Sequence, residues 1–430
     1  MKIKPAKQLT GKISLPGDKS ISHRAVMFGS IASGKTRVRN FATSADCAST
    51  IECFRRLGIS INRTAGDLIV QGLGKKGLTT PRSNLDCGNS GTTMRLISGI
   101  LAGQPFESTL TGDESLQGRP MKRVIEPLAQ MGASIRSRDG YAPLIIEGSR
   151  LSAVKYTPPV ASAQIKSCVL LAGLYADGKT IVVEATPTRD HTERMLREFG
   201  VDIAITKTME GSEITVSGAA ELTGTELSVP GDVSSAAFFL VAAACLPGSS
   251  LTLTNVGLNP TRSAAIAVLR RFGADVDIQG DLDVPGEPAG NIVINGGLSD
   301  SAAENVIRGQ IIANLIDEIP ILAVFGTQLE NGIEIRDAAE LRVKESDRIA
   351  SVVENLRRMN ADVEEFDDGL RVGRSELKGA VIDSFGDHRI AMAFGVAGLL
   401  ARGDTEIIGA ECADVSFPGF FAVLENVTIR

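Results

Sequence analysis

Histidine and paired cysteine are scarce in this chain. Its 430 residues include three histidines, His23, His191 and His388, and no two stand at the spacing that places a pair of zinc ligands on one helix face, which speaks against a structural metal. The six cysteines, Cys47, Cys53, Cys87, Cys168, Cys245 and Cys412, are scattered without a C-x-x-C pair. Set mostly among apolar or small residues, they read as reduced thiols of a cytoplasmic protein. No run reaches the ~18 apolar residues of a membrane span, and Met1 to Leu15 mixes lysines with strand-forming residues instead of an apolar leader core. An excess of positive charge is missing too: the net charge of −6 argues against nucleic acid or anionic membrane as partner. Any anion site must therefore be local.

What is present is ordinary soluble material, 43% hydrophobic and 22% charged, enough for about two to three domains with buried cores. The stretch Leu15-Pro16-Gly17-Asp18-Lys19-Ser20-Ile21-Ser22-His23-Arg24 puts a Pro-Gly turn before hydroxyls, cations and an apolar helical run. That is the composition of a helix start suited to an anion, with Asp18 or Ser20 as cap and Lys19 and Arg24 adding to the first-turn N–H groups. Val229-Pro230-Gly231-Asp232-Val233-Ser234-Ser235 repeats the wording without the cations.

One order of elements recurs. After the first Pro-Gly come a helix (Ala25 to Ala32), Gly34, a strand (Thr36 to Asn40), a helix (Ala45 to Leu57), and Gly58 as its C′ residue. Similar runs begin near residues 88, 161, 231, 316 and 386, giving a period of about 70 residues, a repeated subdomain rather than a solenoid turn. They include helices over Thr92 to Ala102, Pro120 to Gln130, Thr192 to Glu198, Glu345 to Arg358 and from Phe417. Because the first helix of each unit is apolar almost all round, helices pack inward and sheets outside. The expected architecture is α/β, two domains of three repeated units each, six in total. The first domain comprises 1–18 and 230–430, the second 19–229, with crossovers near 16–19 and 229–232.

Gly29-Ser30-Ile31-Ala32-Ser33-Gly34-Lys35-Thr36 matches the phosphate-loop pattern, but the mechanism of that loop needs strand, loop, helix in that order. Here helix precedes strand, so Gly34 reads as a helix stop.

Cations just before or inside second helices recur in Gly118-Arg119-Pro120-Met121-Lys122-Arg123, Thr188-Arg189-Asp190-His191-Thr192-Glu193, Asn259-Pro260-Thr261-Arg262 and Lys344-Glu345-Ser346-Asp347-Arg348. Each opposes the helix macrodipole unless an anion joins it. With Lys19, Arg24 and Arg389 they suggest a cleft between domains for ligands with several negative charges. The glycine-rich Gly88-Asn89-Ser90-Gly91-Thr92-Thr93-Met94-Arg95 lets backbone approach a ligand closely. Asp317, Glu318 and Glu345 are the carboxylates expected among the cations, able to act as bases or to exchange protons with a lysine.

These motifs, with Ser162-Ala163-Gln164-Ile165-Lys166 and Asp387-His388-Arg389, resemble the 5-enolpyruvylshikimate-3-phosphate synthases over essentially the whole chain. The resemblance implies an inside-out α/β barrel fold of two domains with three repeated units each. It also implies transfer of the enolpyruvyl group of phosphoenolpyruvate to the 5-hydroxyl of shikimate 3-phosphate through a tetrahedral intermediate, a step of the shikimate pathway to aromatic amino acids, with no metal or organic cofactor. By the same resemblance Lys19, Ser20, Arg24, Ser162, Gln164, Arg189, Asp317 and Lys344 contact shikimate 3-phosphate. Lys19, Asn89, Gly91, Arg119, Gln164, Arg348 and Arg389 surround phosphoenolpyruvate. Asp317 is the base for the attacking hydroxyl, and Glu345 and Lys19 handle the proton at the methylene carbon. A monomeric cytoplasmic enzyme is expected, with domains that close on substrate. The motifs resemble the family's second, commonly glyphosate-tolerant class, although Gly91 leaves open space where some tolerant members carry alanine. Where many first-class members have a lysine before the final Phe-Pro, this chain has Val415-Ser416-Phe417-Pro418.

Two other readings compete. A sister transferase acting on UDP-N-acetylglucosamine uses Lys-Asn where this chain has Lys19-Ser20, and usually carries a loop cysteine that Thr111 to Gly118 lacks. A non-catalytic anion-binding module has no need of Asp317 and Glu345 together.

Overall fold

The apolar runs become helices with almost no exposed face. In the computed structural model, which describes residues 1–280, 286–299 and 305–430, the chain forms two compact units, Gly17–Val229 and Met1–Pro16 with Pro230–Arg430. In the first, the Gly91–Ala102 helix packs against both Lys19–Ile31 and Ala163–Gly173. The approach to the latter is close enough that a side chain on Gly99 would overlap the Cys168 carbonyl. In the second, Val233–Cys245, Ile319–Gly326 and His388–Leu400 pack on one another. Phe238, Phe239, Phe417 and Phe420 form an edge-to-face and tilted aromatic cluster there, each fully buried ring contributing about 1.5–3 kcal/mol.

Among the described residues, five sheets share one order of four strands, to which Thr428–Ile429 adds a fifth in one of them. In the sheet Glu226–Ser228, Ser33–Arg39, Asp67–Leu73, Ser60–Thr64, the first pair is parallel and the next two antiparallel. The sheets built on Glu107–Thr111, Lys179–Glu184, Ser250–Gly257 and Ile333–Ile335 repeat that pattern. Val381–Asp383 and Thr405–Ile408 pair in parallel, and Lys2–Ile3 joins them antiparallel. Alternate burial along Gly211–Ser217 shows the one-sided pattern of a sheet with a core face and a wet face.

Several helices that follow a strand share one ending. At Gly58, Gly132 and Gly200, with φ of 91°, 99° and 86°, the residue after the glycine donates to the carbonyl five residues back, and the glycine itself to the carbonyl three back. Asn360 makes the same cap at φ 64°, one of the few residues other than glycine that tolerates that conformation.

Several expected boundaries shift. Gly34 is no helix stop: the first helix ends at Ile31 with Ala32 as its cap, and Gly34 lies inside the Ser33–Arg39 strand. Helix still precedes strand, the wrong order for a phosphate loop. The second-unit helix begins at Lys122 rather than Pro120. The fifth begins at Arg348 because Asp347 caps it, accepting from Ala350 N at 3.1 Å, so Lys344 and Glu345 sit in the segment ahead of the helix. A 3-10 turn over Ala410–Val415 precedes the last helix, which starts at Phe420 rather than Phe417. Among the described residues no single helix is long and apolar enough to cross a membrane.

Candidate active site

In the Gly17–Val229 unit, Asp18 caps the first helix by accepting from Ile21 N at 2.9 Å. Lys19 on that helix pairs with Asp46 at 2.8 Å. One turn on, buried Arg24 is oriented by neutral oxygens: Nε donates to Thr192 Oγ1 at 2.7 Å, Nη2 to Ser167 Oγ at 2.9 Å and Nη1 to Ser20 O at 2.9 Å. Ser162 caps the Ala163–Gly173 helix, accepting from Ile165 N at 3.4 Å. Gln164 is held at both ends, its Oε1 accepting from Arg95 at 2.8 Å and its Nε2 donating to Thr92 at 3.0 Å. Arg189 is half-buried between the Lys179–Glu184 strand and the His191–Glu198 helix.

The glycine-rich turn is pinned by Arg119, which donates to Asn89 Oδ1 at 2.7 Å and to Ser115 Oγ at 3.1 Å, while Asn89 Nδ2 donates to Asp113 at 2.8 Å. Ser90 caps the helix that Gly91 opens. Gly91 does not face open space, as the sequence suggested: a Cβ there would come within 2.8 Å of Arg95 Nη1 and 3.5 Å of Arg119 Nη1, so an alanine would displace the arginine that orients Gln164.

In the other unit, four carboxylates and four cations gather among the described residues. Arg348, 1% exposed, donates through Nε to Asp387 at 2.7 Å, through Nη1 to Asp317 at 3.2 Å and through Nη2 to Glu345 at 2.5 Å. Arg389 donates to Asp317 O at 3.0 Å and lies 3.7 Å from Glu318. Arg262 pairs with Glu318 at 3.0 Å, and Ser234 bonds both of them. The fourth cation, half-buried Lys344, makes no ion pair or hydrogen bond among the described residues. Its pKa lies below the ordinary lysine value, through burial first and the neighbouring Arg348 second, against the pull of Asp317. Burial alone would raise the Asp387 carboxyl, but the Arg348 guanidinium holds it below the usual range.

The structure thus brings Asp317, Glu345, Arg348 and Arg389 into one bonded cluster, Asn89 and Arg119 into a second, and Gln164 with Thr92 and Arg95 into a third. It shows no bond from Ser162 to the other named residues. Among the groups that aim the named side chains, sequence reading misses Asp46 and Ser167; Thr192 and Asp387 stand in the quoted motifs without an assigned role, and Glu318 is named only as a carboxylate among the cations. Asp387 had a local signal, as the cap of its helix. The others lie too far along the chain from their partners to be paired by spacing.

A family model described as EPSP synthase (3-phosphoshikimate 1-carboxyvinyltransferase) matches residues 3–424. Relatives named 3-phosphoshikimate 1-carboxyvinyltransferase include one from Solibacter usitatus, 51% identical with 99% of each chain covered. Another, from Pelotomaculum thermopropionicum, is 54% identical with 98% of this chain and 97% of its own covered. A solved structure of EPSP synthase from Acinetobacter baumannii aligns with a TM-score of 0.86 at 42% identity, covering 100% of this chain and 98% of that one. With a match along its full length and relatives at about half identity, the chain belongs to the EPSP synthase family, the 3-phosphoshikimate 1-carboxyvinyltransferases.

Proposed function

We propose that this enzyme moves the enolpyruvyl group of phosphoenolpyruvate onto the 5-hydroxyl of shikimate 3-phosphate and releases phosphate, by addition and then elimination through a tetrahedral intermediate. The observation that carries the reading is the Arg348 fork, which binds Asp317 and Glu345 with one buried guanidinium. Two carboxylates are thereby oriented in a setting that also holds two further arginines, Arg262 and Arg389. Asp317 takes the proton of the attacking hydroxyl. Glu345 and Lys19 handle the proton at the methylene carbon, and the positive charge that develops beside that carbon is stabilised by carboxylates.

Substrate binding draws on these and further residues. Lys19, Ser20, Arg24, Ser162, Gln164, Arg189, Asp317 and Lys344 contact shikimate 3-phosphate. Lys19, Asn89, Gly91, Arg119, Gln164, Arg348 and Arg389 contact phosphoenolpyruvate. The absence of an internal partner for Lys344 among the described residues supports its part: a half-buried ammonium is most stable with an anion beside it. We read each unit as an inside-out α/β barrel of three repeated subdomains, supported by the strand order that five sheets share, and the enzyme as a cytoplasmic monomer.

The test is phosphate release from phosphoenolpyruvate with shikimate 3-phosphate, run beside UDP-N-acetylglucosamine. Release with shikimate 3-phosphate alone is expected. Release with the UDP-sugar alone would overturn the assignment.

A further inference from the structure

Lys166, Glu184 and Glu193 take no part in the chemistry proposed above, yet they make a buried ion cluster in the Gly17–Val229 unit. The Lys166 side chain is 1% exposed and stands 2.9 Å from Glu184 and 2.8 Å from Glu193, themselves 10% and 2% exposed. Burying one ammonium with two carboxylates is a poor way to stabilise a core, since apolar residues of the same volume serve as well or better. The cost is visible at Glu193: burial holds its carboxyl above the usual range despite Lys166, and its Oε2 has no hydrogen-bond partner among the described residues. Such a cluster calls for another role.

The contacts converge on one loop. Glu184 ends the Lys179–Glu184 strand, and its Oε1 accepts from Thr188 N at 3.0 Å and from the Thr188 hydroxyl. Lys166 Nζ donates to Thr188 O at 3.4 Å, so the residue before Arg189 is held at its N–H, its hydroxyl and its carbonyl. On the other side of Arg189, Glu193 lies in the first turn of the His191–Glu198 helix, and Asp190 pairs with Arg194 at 2.8 Å. Lys166 thus ties the strand end, the loop and the helix start to the Ala163–Gly173 helix, which also carries Gln164 and is capped by Ser162.

We propose that Lys166, with Glu184 and Glu193, is a positioning cluster that fixes the Thr188–Asp190 loop so that Arg189 meets the phosphate of shikimate 3-phosphate. The inference rests on the role given to Arg189 under the proposed function. None of the three touches substrate. They act by sparing the enzyme the ordering of the Arg189 loop at each binding event.

The test compares steady-state kinetics of the wild-type enzyme, Arg189→Ala, the charge-free triple variant Lys166→Met/Glu184→Gln/Glu193→Gln, and Glu193→Gln alone. The single change keeps a balanced Lys166–Glu184 pair and serves if the triple variant fails to fold. The triple variant is expected to raise KM for shikimate 3-phosphate about tenfold, and Glu193→Gln about threefold, with kcat and KM for phosphoenolpyruvate within about twofold of wild type. A purely structural role would lower thermal stability without that selective change in KM. If Arg189→Ala leaves KM for shikimate 3-phosphate unchanged, the Arg189 assignment fails and the inference with it. If Arg189→Ala raises that KM while the folded cluster variants keep the wild-type value, the positioning inference alone is overturned.

Discussion

Acid should destabilise this protein through one histidine. His23 is wholly buried, with Nδ1 at 2.6 Å from Thr50 Oγ1. Thr50 lies 2.7 Å from Thr93 Oγ1, which donates to Ser90 Oγ at 2.8 Å. If each hydroxyl passes its proton along that chain, Nδ1 carries the hydrogen and Nε2 is a bare acceptor in the core, consistent with its having no hydrogen-bond partner among the described residues. Burial lowers the pKa from 6.5 to about 3, opposed by Asp46 and assisted by Lys19 and Arg24. Because the folded-state pKa is the depressed one, the unfolded chain binds the extra proton between those values. The stability due to neutral His23 is complete above pH 6.5 and is lost as pH falls toward 3. At 1.36 kcal/mol per unit, the loss reaches roughly 5 kcal/mol in full and about 2 kcal/mol between pH 7 and pH 5. His23→Asn keeps an N–H for Thr50 and cannot titrate. In urea unfolding at pH 7 and pH 5, wild type should lose about 2 kcal/mol more than the variant. Parallel losses in the two proteins would refute a buried neutral imidazole, as would a chemical-shift titration of His23 with a midpoint near its ordinary value.

Other expectations concern the site and the turns. Asp317→Ala and Glu345→Ala should each lower kcat by about 10²-fold or more while calorimetric affinity for shikimate 3-phosphate falls far less; equal loss of binding and rate would remove their chemical roles. Thr192→Val deletes the 2.7 Å bond to Arg24 Nε, a bond to a charged group worth about 1.5–3 kcal/mol. KM for shikimate 3-phosphate should rise about tenfold, and Thr192→Ser should restore it; a Ser variant as impaired as Val would contradict the hydroxyl's part. The two Pro-Gly turns should differ sharply. A Cβ on Gly17 would overlap the Asn40 carbonyl oxygen, whereas one on Gly231 meets Leu15 Cβ at 3.1 Å. Gly17→Ala should cost roughly 3 kcal/mol and Gly231→Ala about 1 kcal/mol or less, so equal melting temperatures would count against the packing described at Gly17.

How much of this was legible in sequence depends on how local its cause is. The strand expected over Thr36 to Asn40 is present as Ser33–Arg39, because alternation lies within the strand itself. Helix starts expected at Pro120 and Glu345 lie too early: at the second, Asp347 competes as cap with the polar residues beside it and wins, while the Lys122–Gln130 helix has no side-chain cap to mark its start. Asn360 carries a weaker signal at its helix end, because asparagine enters the left-handed conformation far less often than glycine. The cations of the site were visible as charges set against a helix dipole. Their partners were not: Arg24 meets Thr192 across 168 residues and Lys19 meets Asp46 across 27, distances at which no spacing rule applies.

The two units solve the same problem with different cations, and the choice follows from what must be oriented. Each has a buried basic residue, 1% exposed, bonded to groups from three stretches of chain: Lys166 to Glu184, Thr188 and Glu193, and Arg348 to Asp317, Glu345 and Asp387. An ammonium directs three protons from a single point, which suffices to draw a strand, a loop and a helix together. A guanidinium spreads its donors over a rigid plane, so the oxygens it binds are fixed in angle as well as distance. Asp387 takes Nε and a share of Nη2, which locks the plane to a helix cap. Nη1 and the remaining donor of Nη2 then set the directions of Asp317 and Glu345. Acid-base transfer falls steeply when a carboxylate is misdirected by an ångström, so lysine at position 348 could balance the same charge without holding both carboxylates to the angles that proton transfer requires.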